Sequence, residues 1–232
     1  MPTNEPKVDS SNQSEDFIKY AYERVNWDEM VKRSSSFRST IQSRRSIRDF
    51  SSEEVPAEAV INAIMTACSA PSGANKQPWH FCLISNQNLK SQIRKGAEEE
   101  EIKSYRDRMS AQWLKDLEPL GTNHIKPFLE EAPYLIVIFK KPYDMVGVKK
   151  IPNYYVNESV GIAAGILIAA LQNAGFATLT HTPSPMNFLQ KLLKRPDNER
   201  AYLLLPVGYP KENAEVPKIC RKQPNEVMTE YF

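Results

Sequence analysis

Tyr134-Leu135-Ile136-Val137-Ile138-Phe139, bounded by Pro133 and Pro142, is followed at Tyr154 to Ala174 by a long segment of small and apolar residues closed by Gly175. A continuous apolar run with β-branched members fits a central strand buried on both faces. The second segment fits a buried helix with glycine just past its end. Its Gly161, Ala163, Ala164, Gly165, Ala169 and Ala170 permit close approach of another backbone. Further strands are predicted at Trp79 to Ile84, Phe176 to Thr180 and Tyr202 to Val207, the last two separated by a helix from Asn187 to Leu193. Upstream, Val60, Ile61, Ile64, Met65 and Cys68 form one helical stripe after Pro56, ending by Pro71-Ser72-Gly73. Asn88 to Met109 reads as a charged helix, and Pro119-Leu120-Gly121 breaks the helical piece after it. Val25 to Arg48, with scattered Trp27, Met30, Val31, Phe37 and Ile41, suits a helix laid on a core, its last turn carrying Arg44 and Arg45. The fold class that follows is α+β, a sheet flanked by helices. Residues 1–16, rich in Ser, Asn, Pro and Glu, are expected to be disordered, and 17–232 to form a single domain.

The chain has 232 residues, 41% of them hydrophobic, which is enough for a sizeable core without disulfide or metal staples. With 30 Lys+Arg against 28 Asp+Glu its net charge is only +2, which argues against an obligate nucleic-acid or membrane-surface protein. Cys68, Cys82 and Cys220 are odd in number and widely spaced, so neither a fully paired disulfide framework nor a four-cysteine metal site is available. A reducing, cytoplasmic setting is the simplest expectation. The polar start Met1-Pro2-Thr3-Asn4-Glu5-Pro6 lacks the pattern of a secretory signal, and the longest apolar run, Ile162 to Leu171, is ten residues, short of the roughly 18–20 a membrane span needs. A soluble protein is expected.

Arg44-Arg45-Ser46-Ile47-Arg48 places three guanidiniums and a hydroxyl within five residues, where a phosphate finds donors charged at any relevant pH. The plainer alternative is basic residues complementing a helix C-terminus. Ala70-Pro71-Ser72-Gly73-Ala74-Asn75 is a turn of small residues whose backbone N–H groups can closely approach an anion or a planar ring, although such turns are common. Glu101 and Tyr105 fall one turn apart on a helix face, and Lys126 follows in the same stretch. Together they could hold an amino-acid zwitterion: Glu101 the ammonium, Lys126 the carboxylate, Tyr105 as a neutral partner. The alternative is a solvated charged helix. His80, His124 and His181 show no metal-ligand spacing and no nucleophile motif is present, so hydrolase and metalloenzyme readings fall away. The Gly-rich turns of dinucleotide and P-loop folds are absent too.

In order along the chain, the Arg44 to Arg48 run, the Ala70 to Ala74 turn followed by Gln77-Pro78-Trp79, the helix ending Leu171-Gln172-Asn173-Ala174-Gly175, and Leu204-Leu205-Pro206-Val207-Gly208-Tyr209-Pro210 resemble the nitroreductase-like flavoprotein superfamily. Within it, Glu98 to Trp113, Lys126 and Thr180-His181-Thr182-Pro183 resemble the iodotyrosine deiodinases. The resemblance implies a mostly antiparallel central sheet and an intertwined FMN homodimer with its active sites at the interface. It also implies reductive dehalogenation of 3-halo-L-tyrosines, mono- and diiodotyrosine, to tyrosine and halide by single-electron steps, with electrons from an unidentified, NADPH-linked reductase. On this resemblance Arg44, Arg45, Ser46, Ile47 and Arg48 hold the FMN phosphate and ribityl chain, joined by Arg221. Ser72 and Gly73 lie against the flavin, and Thr180, His181 and Thr182 run along its ring system, with Thr182 donating to N5 to favour single-electron steps. The Ala74 backbone N–H meets the substrate phenolate. Glu101, Tyr105 and Lys126 grip the zwitterion, with residues 98–130 as a lid. His181 stands where these enzymes often carry a third threonine. The rival readings are an NAD(P)H-dependent nitroreductase or quinone reductase, in which the trio has no special role, and a non-catalytic phosphate or nucleic-acid binder.

Overall fold

The computed structural model describes residues 17–232; the expectation for 1–16 lies outside the described residues. The chain divides into two compact units between Ser39 and Thr40. In the first, Phe17 to Asn26 has no regular structure and leads into α1, Trp27–Gln42, whose last residues pass into the second unit. None of α1's residues is buried, and it stops before Arg44, correcting the expectation of a core-facing helix that reaches Arg48. Trp27, Met30, Val31, Phe37 and Ile41 do share one face, broken only at Ser34, yet Trp27 remains 80% exposed: the stripe exists and is left uncovered.

The second unit is built on four strands, β1 Trp79–Ile84, β2 Tyr134–Lys140, β6 Arg200–Gly208 and β5 Ala177–Thr178, in the order β1-β2-β6-β5 and all antiparallel. A separate hairpin, β3 Tyr143–Val146 with β4 Lys149–Pro152, was not legible in advance because Lys149 and Lys150 mask its alternation. The helices are α2 Ala57–Ala67, α3 Gln87–Lys103, α4 Ala111–Leu117, α5 Phe128–Glu131, α6 Val156–Asn173, α7 Asn187–Leu192 and α8 Pro224–Val227.

The period-2 geometry of β2 sends alternate residues to opposite faces, and both are covered. Ile136 and Ile138 pack with Leu205, Val207 and the apolar stripes of α2 and α6. Leu135, Val137 and Phe139 pack with Leu204, α3, α5 and α7. This two-sided burial explains why β2 reads as an unbroken apolar run, and each such side chain contributes about 1.5–3 kcal/mol. Small residues on α6, Ala163 and Ala164 among them, allow the helix to lie close on the sheet. The strand expected over Phe176 to Thr180 is regular only at Ala177 and Thr178, and resumes as an isolated antiparallel bridge from His181 to Leu204 in the same register. One further contact positions that site: Ser46 bridges Thr178 in parallel, with the Ile47 N–H donating to the Thr178 carbonyl at 3.1 Å.

Gly208 ends β6 where a Cβ would stand 2.5 Å from Cδ of Pro133, next to the start of β2. Gly208→Ala is expected to cost about 1–3 kcal/mol by overpacking, measured by urea unfolding at unchanged m-value.

Candidate active site

Two adjoining cavities of the second unit share the Arg48 side chain. The first, about 450 Å³, is bordered by Arg44, Arg45, Ser46, Arg48 and Arg221, with Pro217 and Ile219 from the C-terminal segment. Arg44 and Arg45 lie beyond the end of α1 on the extended segment that Ile47 ties to β5, so their position comes from the sheet. Arg221 is oriented by donating from its two terminal nitrogens to the carbonyls of Gln42 and Arg44, each at 3.0 Å. Arg45 donates to the Pro217 carbonyl. Among the described residues no carboxylate borders this cavity. Burial, then the charges of Arg221 and Arg45, hold the Arg44 guanidinium below its ordinary pKa. Such a cluster repels itself and favours a multiply charged anion with several acceptor oxygens.

The second cavity, about 310 Å³, holds the expected trio. Glu101 ends the buried stripe of α3, one turn before a π-helical piece, Ser104–Arg108, that carries Tyr105. Lys126 lies just ahead of α5. Its Nζ is 3.3 Å from Oε2 of Glu101 and 5.9 Å from the centre of the Tyr105 ring, and the two ionic residues are only 3% and 8% exposed. Lys126 Nζ also donates to the Thr122 hydroxyl at 3.2 Å and to the Asn123 carbonyl, while the Tyr105 hydroxyl donates to the Thr122 carbonyl at 3.2 Å. Burial lowers the Lys126 pKa, and the Glu101 carboxylate opposes that shift. Burial raises the Tyr105 phenol above its ordinary value. Far from being a solvated helix face, this is a buried ion pair beside a phenol. A zwitterion entering between the two charges exchanges one ion pair for two, with carboxylate on Lys126 and ammonium on Glu101.

On the opposite wall, Thr180 and Thr182 are exposed to the cavity, while His181 between them is buried. The His181 N–H and carbonyl both pair with Leu204, at 2.9 and 3.0 Å, and its Nε2 has no hydrogen-bond partner. The hydroxyls of Thr180 and Thr182 are therefore the groups this strand presents. Thr122, Phe128 and Met109 also border the cavity, and the Ser184 carbonyl accepts from Ser104 and Arg108. Sequence reasoning missed these residues. Ser184 acts through its backbone carbonyl, which leaves no residue-type signal, while Thr122 contributes both its carbonyl and its hydroxyl.

The small-residue turn stands apart. Ser72, Gly73 and Ala74 border neither cavity. Gly73 is pressed against the start of α6, where a Cβ would meet the Tyr155 ring at 2.9 Å and the Tyr154 carbonyl at 3.1 Å. Ala74, Asn75 and Gln77 all adopt positive φ, at 49°, 52° and 47°. The Ser72 hydroxyl accepts from the Gln77 N–H at 2.9 Å. Three non-glycine residues held in left-handed conformations mark a turn kept for its shape.

A nitroreductase family model matches residues 41–209. The chain belongs to the nitroreductase family. It is 53% identical over 217 residues to the iodotyrosine deiodinase of Haliscomenobacter hydrossis, covering 93% of this chain and 97% of that one. To human iodotyrosine deiodinase 1 it is 45% identical over 221 residues, covering 94% of this chain and 76% of the relative. Among solved structures, that of oxidized iodotyrosine deiodinase bound to FMN and 3-iodo-L-tyrosine superposes with a TM-score of 0.72 at 32% identity, over 84% of this chain and 98% of that chain. Within the nitroreductase family the chain groups with the iodotyrosine deiodinases.

The arginine cavity generates a direct expectation. In protein freed of bound ligands, inorganic phosphate should raise the melting temperature relative to chloride of equal ionic strength, as binding to the folded state requires. Arg44→Ala should remove most of that increase, as read by differential scanning fluorimetry.

Proposed function

We propose that this protein is a flavin-dependent halotyrosine dehalogenase, converting 3-halo-L-tyrosines to tyrosine and halide. The observation that carries this reading is the buried Glu101–Lys126 pair beside Tyr105, facing Thr180 and Thr182 across a cavity that shares Arg48 with the arginine cluster. The cluster fits FMN because it offers four guanidiniums and the Ser46 hydroxyl with no bordering carboxylate among the described residues, the donor set a phosphate dianion needs. Arg44, Arg45, Ser46, Arg48 and Arg221 would hold the phosphate and ribityl chain, with the Ile47 backbone fixing their segment. Thr180 and Thr182 would lie along the ring system, the Thr182 hydroxyl donating to N5. When bound, FMN supplies the two electrons that, with one proton, replace the carbon–halogen bond by carbon–hydrogen and release halide.

The residues of the chain bind, orient and exclude water. Glu101 and Lys126 fix the amino-acid end, and their burial strengthens each contact by removing competing water. The segment from Ser104 to Lys126, which borders the cavity, would close over the bound ring. No side chain acts as a nucleophile; catalysis lies in holding the phenolate in place and stabilising its charge. The Ala74 N–H is the donor proposed for the phenolate, and the Ser72 to Ala74 turn reaches the site from a second copy of the chain, since it borders neither cavity of its own chain. Exposed apolar side chains at Ile162 on α6 and at Ile219, Val227 and Met228 near the C-terminus suit such an interface. Among the described residues no helix is long and apolar enough to cross a membrane. A cytoplasmic location and an NADPH-linked reductase as electron donor complete the proposal.

The test is a single anaerobic turnover. Protein reduced with dithionite and mixed with 3-iodo-L-tyrosine should reoxidise while forming tyrosine and iodide in step. Reoxidation by a nitroaromatic but not by iodotyrosine would instead assign a nitroreductase or quinone reductase. Glu101→Gln and Lys126→Ala should each weaken halotyrosine binding by about 1.5–3 kcal/mol and leave FMN bound, as read by flavin fluorescence titration. Unchanged affinity in both would remove the zwitterion assignment.

A further inference from the structure

Helix α3 holds Lys126 at two points. The Glu101 carboxylate pairs with its side chain, Oε2 lying 3.3 Å from Nζ, and on the same helix face the Glu98 carboxylate accepts the Lys126 backbone N–H, with Oε1 2.7 Å from the nitrogen. That N–H lies ahead of α5 and has no acceptor within the helix, whereas the Lys126 carbonyl accepts from the Leu129 N–H at 3.1 Å. The same oxygen of Glu98 also accepts from Arg94 Nε at 2.7 Å, and Arg94 donates through a terminal nitrogen to Oε2 of Glu130 on α5, 2.9 Å away. Arg94 therefore fixes the Glu98 carboxylate and ties α3 to the helix that follows Lys126. Glu98 borders neither cavity of the site, so whatever it does there it does through Lys126.

The second hold matters when a ligand enters. A zwitterion placed between Glu101 and Lys126 takes each from the other, and the Lys126 side chain then loses its tie to α3. Its remaining partners, the Thr122 hydroxyl and the Asn123 carbonyl, belong to the same irregular stretch, 121–127, as Lys126 itself and do not fix it against the helix. A lysine on a flexible four-carbon stem turns toward water unless its main chain is held at the right depth. The bond from the Lys126 N–H to Glu98 does not involve the ammonium, so it survives the exchange of partners.

We propose that Glu98 is a positioning residue for the substrate's carboxylate: by accepting the Lys126 backbone N–H it holds the Lys126 ammonium where the carboxylate of an amino acid meets it, independently of the Glu101 pair. The operative property is reach. An acceptor must span from α3 to the Lys126 main chain, and its charge is secondary. Glutamine has the reach without the charge, and aspartate has the charge but is one methylene too short. Naming the ligand rests on the function proposed above, whereas the hold on Lys126 belongs to the protein without ligand.

The experiment compares FMN-loaded wild type with two conservative variants, Glu98→Gln and Glu98→Asp. Without halotyrosine, brief labelling with acetic anhydride followed by mass spectrometry reads how accessible the Lys126 amine is. Lys90, also buried and held on α3 by the Glu130 and Ala132 carbonyls, is the internal reference. The expected result is Lys126 labelled about tenfold faster in Glu98→Asp, near the wild-type rate in Glu98→Gln, and Lys90 unchanged in both. Any other pattern overturns the proposal: a rise at Lys126 in Glu98→Gln makes charge the operative property, a joint rise at Lys90 and Lys126 makes Glu98 merely structural, and no rise means that Lys126 is held without it. A second arm titrates 3-iodo-L-tyrosine by flavin fluorescence. Affinity should fall about tenfold in Glu98→Asp, yet fall no further when the same change is added to Lys126→Ala, which keeps the backbone N–H. Wild-type affinity in Glu98→Asp, or an equal loss in both backgrounds, overturns the proposal. A wild type that binds no 3-iodo-L-tyrosine refutes the function proposed above, while the labelling still decides what Glu98 does.

Discussion

The hydrogen bond from the Ile47 N–H to the Thr178 carbonyl, with the Ser46–Thr178 bridge it belongs to, is the contact on which the site depends. Its energy is ordinary, about 0.5–1.5 kcal/mol. Its consequence is geometric. It fastens the arginine run to the edge of the central sheet two residues before that edge turns into Thr180 and Thr182. One short pairing therefore sets the distance between a phosphate-sized cluster of cations and the hydroxyls on the cavity wall, and leaves Arg48 bordering both cavities. The sheet behind it is stiff because β2 is buried on both faces by α2 and α6 on one side and α3, α5 and α7 on the other. A site built on such a layer can hold a planar group in register.

The two sides of the site are stabilised in opposite ways. The strand side is continuous with the core. The cover is polar, held by the Glu101–Lys126 pair, by Tyr105 on Thr122 and by Ser104 and Arg108 on Ser184. A buried ion pair adds little net stability over apolar packing, because desolvation offsets its attraction. In the function proposed above its value is specificity, since each partner requires an opposite charge and a zwitterion supplies both.

Much of this was legible in the sequence. The apolar run at 134–139 announced a two-faced strand, and the structure brings the arginine run to one cavity and Glu101, Tyr105 and Lys126 to another. What was hidden has physical causes. Helix α1 was expected on a core and buries nothing, because periodicity alone does not say what an apolar side chain will meet. The β3–β4 hairpin has lysines where alternation calls for apolar residues. Ser184 contributes a carbonyl oxygen, which every residue possesses. The left-handed turn at Ala74, Asn75 and Gln77 contradicts local preference and is held by Gly73 against Tyr155, a contact between segments far apart in sequence. His181 could be placed on its strand from sequence, yet only packing reveals that its Nε2 lacks a partner.

The function proposed above requires that each site take its arginine cluster and trio from one chain and its Ser72 to Ala74 turn from another. Complementation tests this directly. Two variants, Lys126→Ala and Gly73→Val, each first shown to be impaired at low halotyrosine concentration, are co-expressed with different affinity tags, and the mixed dimer is purified and assayed for halotyrosine turnover under the same conditions. A shared site predicts that the mixed dimer recovers about half the activity of the wild type, because one of its two sites is assembled from intact parts only. A mixed dimer as impaired as its parents, with FMN bound and subunits associated, would mean that every site is complete within one chain and would contradict the account.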